Sequence, residues 1–581
     1  MGKKWLVLAC FLLVLFLPNL TSSNQNFALK NKTIDSATIL DHNAGENWII
    51  HGSKSIQEKN EYGNLSEMPL EAVISRRMSI HYGDLYSDAT VPWELLSKVL
   101  WAAHGYSWRG RSVPSLSNYP IMIYVCNETA AYKFVPENQS ISLWKEGDYR
   151  ELSGGTLAPV MLYIAFDTNI CQDVHWGNAE SGCPIQNIYL MTNALNLGTV
   201  CLGGTWLNRT YIHEELGVPE NEKVLYKMPL GYLLPPNTDY QNLVPTSRPS
   251  SSELPEIQDS TVSLEDALDS LFSSHEWSEN PVTKQELSQV LWASYGYSYY
   301  EDTASGHPER HRTVPSASAH YPMRIYAANS SGIYQYFPEQ HTLTTIVAGD
   351  RRLSIAQASG NTWASSAPLI IAMAWDDSRI LTVDTTYIEV GLIAQNVYLE
   401  SAAWGLIADW GKADTDEEAM RQALGLTGET NLHPASIITI GHPSTYLHKA
   451  ELNETIYPVE TKTNSTILNF AFDQLNRKIS FNVYGHSGTT GFCNVTIPNT
   501  LLWGDFTVLV DGNSATTLVW RDNATHTSLH FTYELLNSLN VQIISEYVIP
   551  EFSTWTSIII IFLALSVAIA IRKVRTYKTR K

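Results

Sequence analysis

The sequence predicts an α+β protein built from two tandem copies of one domain, followed by a small β-sandwich and one C-terminal membrane span. Three observations support this prediction: two long segments repeat each other, short alternating strands follow them, and each chain end carries an apolar run. Of the 581 residues, 44% are apolar and only 17% are charged, against about 25% charged in ordinary soluble domains. A formal charge of −20, with no basic cluster before the C-terminus, excludes a nucleic-acid binder.

The two apolar runs predict where the protein resides. Two lysines precede the run 5–17, a pattern typical of a secretory signal peptide, which we assign to residues 1–23. An uncleaved anchor is the alternative. A second run, 554–571, is just long enough to cross about 30 Å of hydrocarbon, and the basic tail 572–581 keeps that end cytoplasmic. We therefore expect a single-pass cell-membrane protein with the bulk of the chain extracellular.

Two further patterns agree with an exterior address. Asn-x-Ser/Thr sequons recur from Asn31 to Asn523, which predicts a glycoprotein. The absence of any CxxC pair gives no reason to predict a metal site. In an oxidising exterior we expect one or two disulfides among the four cysteines between 126 and 201, with Cys171–Cys183 the favoured pair.

An internal repeat organises the middle of the chain. Residues 95–124 recur as residues 287–326, with an extra stretch in the second copy. A second block keeps a constant offset of 209: Glu180, Gly182, Gln186, Asn187, Tyr189 and Leu190 match Glu389, Gly391, Gln395, Asn396, Tyr398 and Leu399. A period near 200 residues is too long for a solenoid, so the chain contains a duplicated domain.

The predicted domains follow from this repeat. A variable segment, 24–66, precedes copy one at 67–234, and a linker at 235–262, rich in Pro, Ser and Thr, separates it from copy two at 263–444. Short alternating strands at 453–546 predict a β-sandwich that acts as a stalk.

Each copy has the pattern of a mixed helix and strand domain. Apolar spacing predicts a helix at 92–104. The other predicted elements are strands at 121–125 and 323–327, strands at 159–166 and 368–375, helices at 185–195 and 393–403, and final strands at 225–232 and 437–442.

The motifs shared by the copies resemble a known family. Each copy has Leu-Trp-Ala, then Arg-[Ser/Thr]-Val-Pro-Ser, then Glu-x-Gly-x-x-x-Gln-Asn-x-Tyr-Leu. This order resembles the nitroreductase superfamily, most of all its FMN-dependent branch that oxidises azolines in thiazole/oxazole peptide biosynthesis. Family members are dimers that hold FMN at the subunit interface. The resemblance therefore implies an intrachain pseudo-dimer, a monomeric chain and two flavin clefts.

The resemblance implies a phosphate site before the first long helix of each copy. The family grips the FMN phosphate with Arg-x-Ser-x-[Arg/Lys], because a dianion needs cations and hydroxyl donors. Copy one offers Arg77, Ser79 and His81, whereas copy two offers Leu271, Ser273 and His275. The alternative interpretation is that Arg76 and Arg77 are solvated charges at a helix end.

Two further motifs imply contacts with the flavin ring. The family's Pro-Ser turn touches the ring from the partner subunit, and a glycine-containing loop lies along its face, where backbone N–H groups approach closely. The turn maps to Pro114, Ser115 and Leu116 and to Pro315, Ser316 and Ala317, with Arg111 and Arg312 three residues before each proline; the loop maps to Gly203 and Gly204 and to Trp410 and Gly411. The better cleft would combine Arg77, Ser79 and His81 with the turn of copy two. An ordinary surface turn is the alternative.

Three functions follow from these patterns. The first is an extracytoplasmic FMN oxidoreductase in which the flavin N5 carries the hydride, with an unidentified electron donor and acceptor. The second is a flavin-less pseudo-enzyme that serves as a surface binding module, favoured by Leu271. The third is a carbohydrate-binding protein, suggested by 17 Trp and 30 Tyr.

Several features limit these functions. The Lys-Tyr pair of the azoline-oxidising branch is missing, so we do not predict azoline oxidation. No separate acid, base or nucleophile set stands out, and His104, His175 and His442 are predicted to be surface or turn residues. Pro550, Glu551 and Phe552, followed by the span and the basic tail, resemble the archaeal Pro-Glu-Phe sorting signal.

Overall fold

A computed structural model describes most of the two copies and of the predicted sandwich. The described residues are 48–49, 68–80, 86–152, 157–204, 207–234, 243–302, 311–452, 455–485, 488–520, 525–535 and 538–548. The predicted signal peptide, most of the variable segment, the C-terminal span and the basic tail lie outside these ranges. Over the ranges described, no helix combines the length and the apolar character needed to cross a membrane.

Copy one is an antiparallel sheet with helices on its faces. In chain order its elements are β1 (Trp48–Ile49), α1 (Leu70–Arg76), α2 (Trp93–His104), β2 (Ile121–Cys126), β3 (Ala130–Val135), β4 (Ser140–Glu146), β5 (Val160–Asp167), α3 (Val174–Ala194), β6 (Gly198–Thr199), α4 (Arg209–Leu216) and β7 (Glu222–Gly231). The strand order is β1-β4-β3-β2-β5-β7-β6. Strand β5 is buried along almost its whole length because sheet neighbours and helices cover it.

Copy two repeats this arrangement after a short two-stranded connection. Its elements are β8 (Leu243–Pro245), α5 (Leu264–Ser270), α6 (Lys284–Tyr295), β9 (Tyr300–Asp302), β10 (Met323–Asn329), β11 (Gly332–Phe337), β12 (Thr342–Ala348), α7 (Arg352–Ser359), β13 (Leu369–Asp376), α8 (Val383–Ala403), β14 (Ile407–Lys412), α9 (Glu417–Leu424) and β15 (Leu432–Gly441). The sheet order β12-β11-β10-β13-β15-β14 matches that of copy one without its outermost edge strand.

The long helices α3 and α8 join the two copies. His175 contacts Asp384 at 3.1 Å, and farther along the helices Gln186 donates to Asn396 at 2.8 Å. Both residue numbers rise together, so the helices run side by side in the same direction. Gly391 permits their closest approach, because a Cβ there would lie 1.8 Å from the Ala179 carbonyl oxygen. One hydrophobic core then extends through both copies.

The segment between the copies is more tightly packed than a linker is expected to be. Leu254 and Ile257 are fully buried in the shared core, and the Leu70 amide donates to the Val262 carbonyl at 2.9 Å. Strand β8 pairs with β9 of copy two. The described part of this segment therefore belongs to the fold of the pseudo-dimer.

Two five-stranded antiparallel sheets follow copy two. Their strands are β16 (Thr445–Leu452), β17 (Thr455–Thr463), β18 (Thr466–Asp473), β19 (Lys478–Tyr484), β20 (Thr490–Pro498), β21 (Leu502–Val510), β22 (Asn513–Ser514), β23 (Thr517–Trp520), β24 (His526–Glu534) and β25 (Ser538–Val548). The sheet orders are β16-β17-β20-β24-β23 and β18-β19-β25-β21-β22. Alternate inward residues such as Phe481 and Phe531 form a separate core.

This sandwich packs directly on copy two. Lys449 forms an ion pair with Asp269 at 3.0 Å, and the ring of His442 connects Glu286 at 3.3 Å with Thr466 at 3.1 Å. The region that the sequence predicts to be a stalk therefore also contacts the pseudo-dimer.

Two sequence predictions are wrong at the level of single residues. The cysteines at 126, 171, 183, 201 and 493 are all free thiols, and the Cys183 thiol instead donates to the Gly391 carbonyl at 3.4 Å. His104 and His442 are buried rather than on the surface. Burial, helped by the charge of Arg111, lowers the pKa of His104 to about 3. His175 is half-exposed, as predicted.

Candidate functional site

The buried Tyr189 on α3 contacts two of the predicted site residues of copy one, Arg77 and Ser79. The Ser79 hydroxyl donates to the Tyr189 hydroxyl oxygen at 3.2 Å, and the Cys201 amide donates to the same oxygen at 2.6 Å. The Arg77 guanidinium lies 5.5 Å from the centre of the tyrosine ring. Burial raises the pKa of Tyr189 to about 12, so its hydroxyl stays neutral. The segment after α1 and the loop after β6 therefore meet at one side chain.

Arg77 also connects copy one to copy two. It is 2% exposed, and its Nε and Nη2 donate to the Arg312 carbonyl at 3.3 and 3.0 Å. Nearby, the Tyr299 amide donates to the Ser75 hydroxyl at 2.7 Å. The structure thus brings Arg77 and Ser79 to the segment of copy two that leads into Pro315.

The second cleft keeps the tyrosine but has a different cation. Ser273 and Tyr398 hydroxyls lie 3.0 Å apart, and Leu271 is buried at the position that corresponds to Arg77. Arg109 of copy one reaches this place, donating to the Ser270 carbonyl at 3.3 Å. Burial lowers the pKa of Arg109 to about 10, which leaves it charged at neutral pH.

The glutamates of the Glu-x-Gly motif hold the Pro-Ser turns. Glu180 accepts from the Leu116 amide at 2.7 Å. Glu389 accepts from the hydroxyls of Ser316 and, at 2.8 Å, Tyr295. Each glutamate lies in the same copy as the turn that it holds. Each turn is therefore fixed by a hydrogen bond within its own copy.

The pKa of Glu389 makes this contact depend on pH. Burial raises that pKa to about 8, above the unfolded value near 4.5. The folded chain therefore holds a proton that the unfolded chain loses, and stability present below about pH 4.5 is lost as the pH rises through 8. We expect Glu389→Gln, which mimics the protonated form, to reduce the loss of stability between pH 5 and pH 8 by about 3–4 kcal/mol.

Urea unfolding at both pH values measures this effect. Glu220→Gln, at an exposed position, is the control and should keep the wild-type pH dependence. An identical pH dependence in Glu389→Gln and wild type would contradict the assignment.

Arg111 and Arg312 have matching internal partners. Arg111 binds Glu137 at 3.1 Å and the His104 carbonyl at 3.1 Å. Arg312 binds Glu339 at 3.0 Å and the Tyr295 carbonyl at 3.1 Å. Since a carboxylate already balances each charge, these arginines position the turns rather than present a free cation to a phosphate.

The glycine loops of the two copies differ in free space. Gly204 has φ +59°, and a Cβ there would meet nothing within 4 Å. A Cβ on Gly203 would lie 2.7 Å from the Tyr226 ring, so this glycine serves internal packing. At Gly411 the Asn361 amide occupies the space, 2.8 Å from a Cβ position. His275 is exposed, paired with Asp409 at 3.2 Å and stacked on Trp363.

The sequence profile of the Nitroreductase family matches residues 74–232 and 273–442, one match in each copy. The chain belongs to the nitroreductase family. The predicted enzyme class, a nitroreductase-type oxidoreductase, is thereby confirmed.

Individual relatives cover parts of this chain. A nitroreductase homologue from Methanocaldococcus jannaschii is 33% identical over 168 residues, which cover 26% of this chain and 79% of the relative. A nitroreductase-like structure from Anabaena variabilis is 15% identical, with a TM-score of 0.48, and the match covers 63% of this chain and 94% of that one. An FMN complex from Desulfovibrio desulfuricans is 17% identical, with a TM-score of 0.24, over 31% and 86% of the two chains.

The structure locates most of the residues predicted from the nitroreductase motifs. Arg77 and Ser79 meet at Tyr189, and Arg77 touches the segment that precedes the Pro315 turn. In the second cleft, Ser273 meets Tyr398, and Arg109, five residues before Pro114, donates to the Ser270 carbonyl. His81 lies outside the described residues.

Sequence reasoning missed three residues of the candidate site. Tyr189 and Glu389 belong to the repeated motif, but the sequence alone gives neither residue a role. Arg109 aligns with Arg310, since each stands two residues before the motif arginine, Arg111 or Arg312. Only the fold brings Arg109 to the second cleft.

Proposed function

We propose that this nitroreductase-family chain binds one FMN per chain, in the cleft that contains Arg77, Ser79 and the Gly204 loop from copy one and the 315–317 turn from copy two. The observation that carries the proposal is the meeting of Arg77, Ser79 and Cys201, the first residue of the 201–204 loop, at Tyr189. Arg77 would hold the phosphate as a planar cation. Ser79 would add a hydroxyl donor.

The residues present fit FMN better in this cleft than in the other. Gly204 keeps open space at a left-handed backbone position, which lets a planar ring approach the main chain. In the second cleft, Leu271 replaces the arginine, and Asn361 fills the space beside Gly411. These observations favour a flavin-less second cleft, so the pseudo-enzyme interpretation applies to half of the pseudo-dimer.

Bound FMN would supply hydride and electron transfer through its N5. The chain's own residues would orient it. Ser316 is fixed by the buried Glu389, and Arg77 is fixed by the Arg312 carbonyl, so little reorganisation is needed on binding. The substrate class is not assigned to azolines, because the Lys-Tyr pair of that branch is missing.

We further propose that the enzyme acts outside the cytoplasm, anchored by residues 554–571. The support is the order of signal-like run, sequons, apolar span and basic tail in the sequence. NAD(P)H is a cytosolic reductant, so the electron donor would be a membrane quinol, a reduced surface carrier or a directly dehydrogenated substrate.

Cofactor content tests the proposed function. We expect the purified full-length protein to absorb as a flavoprotein and to release about one FMN per chain on denaturation. Two FMN per chain would contradict the assignment of a single cleft. A colourless protein that cannot be reconstituted with FMN would refute the function itself.

A further inference from the structure

A cavity of about 240 Å³ lies in copy two, between α6, the loop before β10, and β11. This volume is larger than the roughly 150 Å³ that holds a benzene ring and somewhat below that of drug-sized pockets. Aromatic side chains form much of its wall, among them Tyr321, Tyr336 and Phe337. Its size and walls suit a small planar molecule.

Three arginines line the same cavity. Arg312 is balanced by Glu339 at 3.0 Å, and Arg324 is balanced by Asp376 at 2.7 Å. Arg379 is exposed and forms no ion pair with any residue that the structure describes. The lining therefore carries one positive charge in excess, which matches a single carboxylate.

Two of these cations are absent from copy one. Met323 pairs with Trp375 in copy two as Ile121 pairs with Phe166 in copy one. This register aligns Arg324 with Met122, and Arg379 with Ile170. Because copy one folds without these arginines, the fold itself does not require them.

The cavity lies beside the proposed flavin cleft. The Arg312 side chain lines the cavity, while its carbonyl accepts from Arg77. Tyr321 lines the cavity and has its pKa raised by burial, with the charge of Arg77 acting in the opposite direction. A molecule in the cavity would thus be close to the residues that form the cleft.

We propose that this cavity binds a small planar monocarboxylate, with its carboxylate on Arg379 and its ring against Tyr321 and Phe337. Arginine suits this ligand because its planar fork pairs with a carboxylate through two hydrogen bonds. Such a ligand would be a substrate of the enzyme, and that role, unlike the binding, rests on the proposed function.

Titration calorimetry of the full-length protein with benzoate tests the proposal. We expect 1:1 binding, and at least tenfold weaker binding of benzamide, which has the same shape without the charge. Arg379→Ile, which introduces the residue of copy one, should weaken benzoate binding at least tenfold. Arg351→Ile, at an exposed position outside the cavity, should leave it unchanged.

Three results would overturn the proposal: no heat of binding up to about 10 mM benzoate, equal affinities for benzoate and benzamide, or unchanged benzoate affinity in Arg379→Ile. Thermal unfolding of each variant verifies that it is folded. The calorimeter reads binding without flavin, so a colourless preparation would refute the flavin site while leaving this test intact.

Discussion

Replacing Arg77 by alanine is expected to lower the FMN content of the purified protein at least tenfold. The variant removes the one arginine that the structure places beside Ser79 and Tyr189. Loss of a buried charged partner costs about 2–5 kcal/mol, and about 1.4 kcal/mol already lowers affinity tenfold. Flavin absorbance per chain, with reconstitution titrations against added FMN, measures the effect.

Arg109→Ala is the matched control for this experiment. Arg109 also donates from copy one to a backbone carbonyl of copy two, but in the second cleft. Its removal should leave the flavin content unchanged. Arg77→Lys keeps a charge without the planar fork and should retain an intermediate affinity. Equal flavin content in Arg77→Ala and wild type would contradict the role of Arg77. Flavin loss only in Arg109→Ala would show that the clefts are assigned the wrong way round.

The sequence predicts those parts of the fold that local patterns determine. The helix around Leu100 and the strand around Ile123 occur where apolar periodicity places them. Helix α3, in contrast, begins at Val174, whereas the sequence predicts a start near residue 185. The predicted start is late because Gly177, Gly182 and Pro184 are helix breakers by local propensity. Contact with α8 stabilises the helix there, and this contact has no local signal.

The site shows the same division. The motif places Arg77 and Ser79 close together because a single residue lies between them. They do not show that Arg111 and Arg312 are balanced by Glu137 and Glu339, since each pair is separated by more than 25 residues. Burial of His104 was also missed, because the sequence does not show how the end of α2 is covered.

Substitution of Gly391 by alanine is expected to destabilise the pseudo-dimer by about 3 kcal/mol or more. Gly391 and Gly182 face each other where α3 and α8 approach each other most closely. An added Cβ at Gly391 would lie 1.8 Å from the Ala179 carbonyl oxygen, and a backbone atom cannot move aside as a flexible side chain could. The helices must separate, and overpacking in a dense core costs about 1–3 kcal/mol, sometimes more.

Gly217→Ala provides a glycine control outside this contact. Gly217 ends α4 with φ +71° and has no atom within 4 Å of a Cβ position, so alanine there incurs backbone strain alone, about 1 kcal/mol. Urea unfolding should therefore show a markedly larger loss for Gly391→Ala than for Gly217→Ala. Because Glu389, which fixes Ser316, lies two residues before Gly391 on α8, we also expect the alanine variant to bind FMN more weakly. Equal stability of the two glycine variants would mean that α3 and α8 do not pack this closely, and the single shared core would then be wrong.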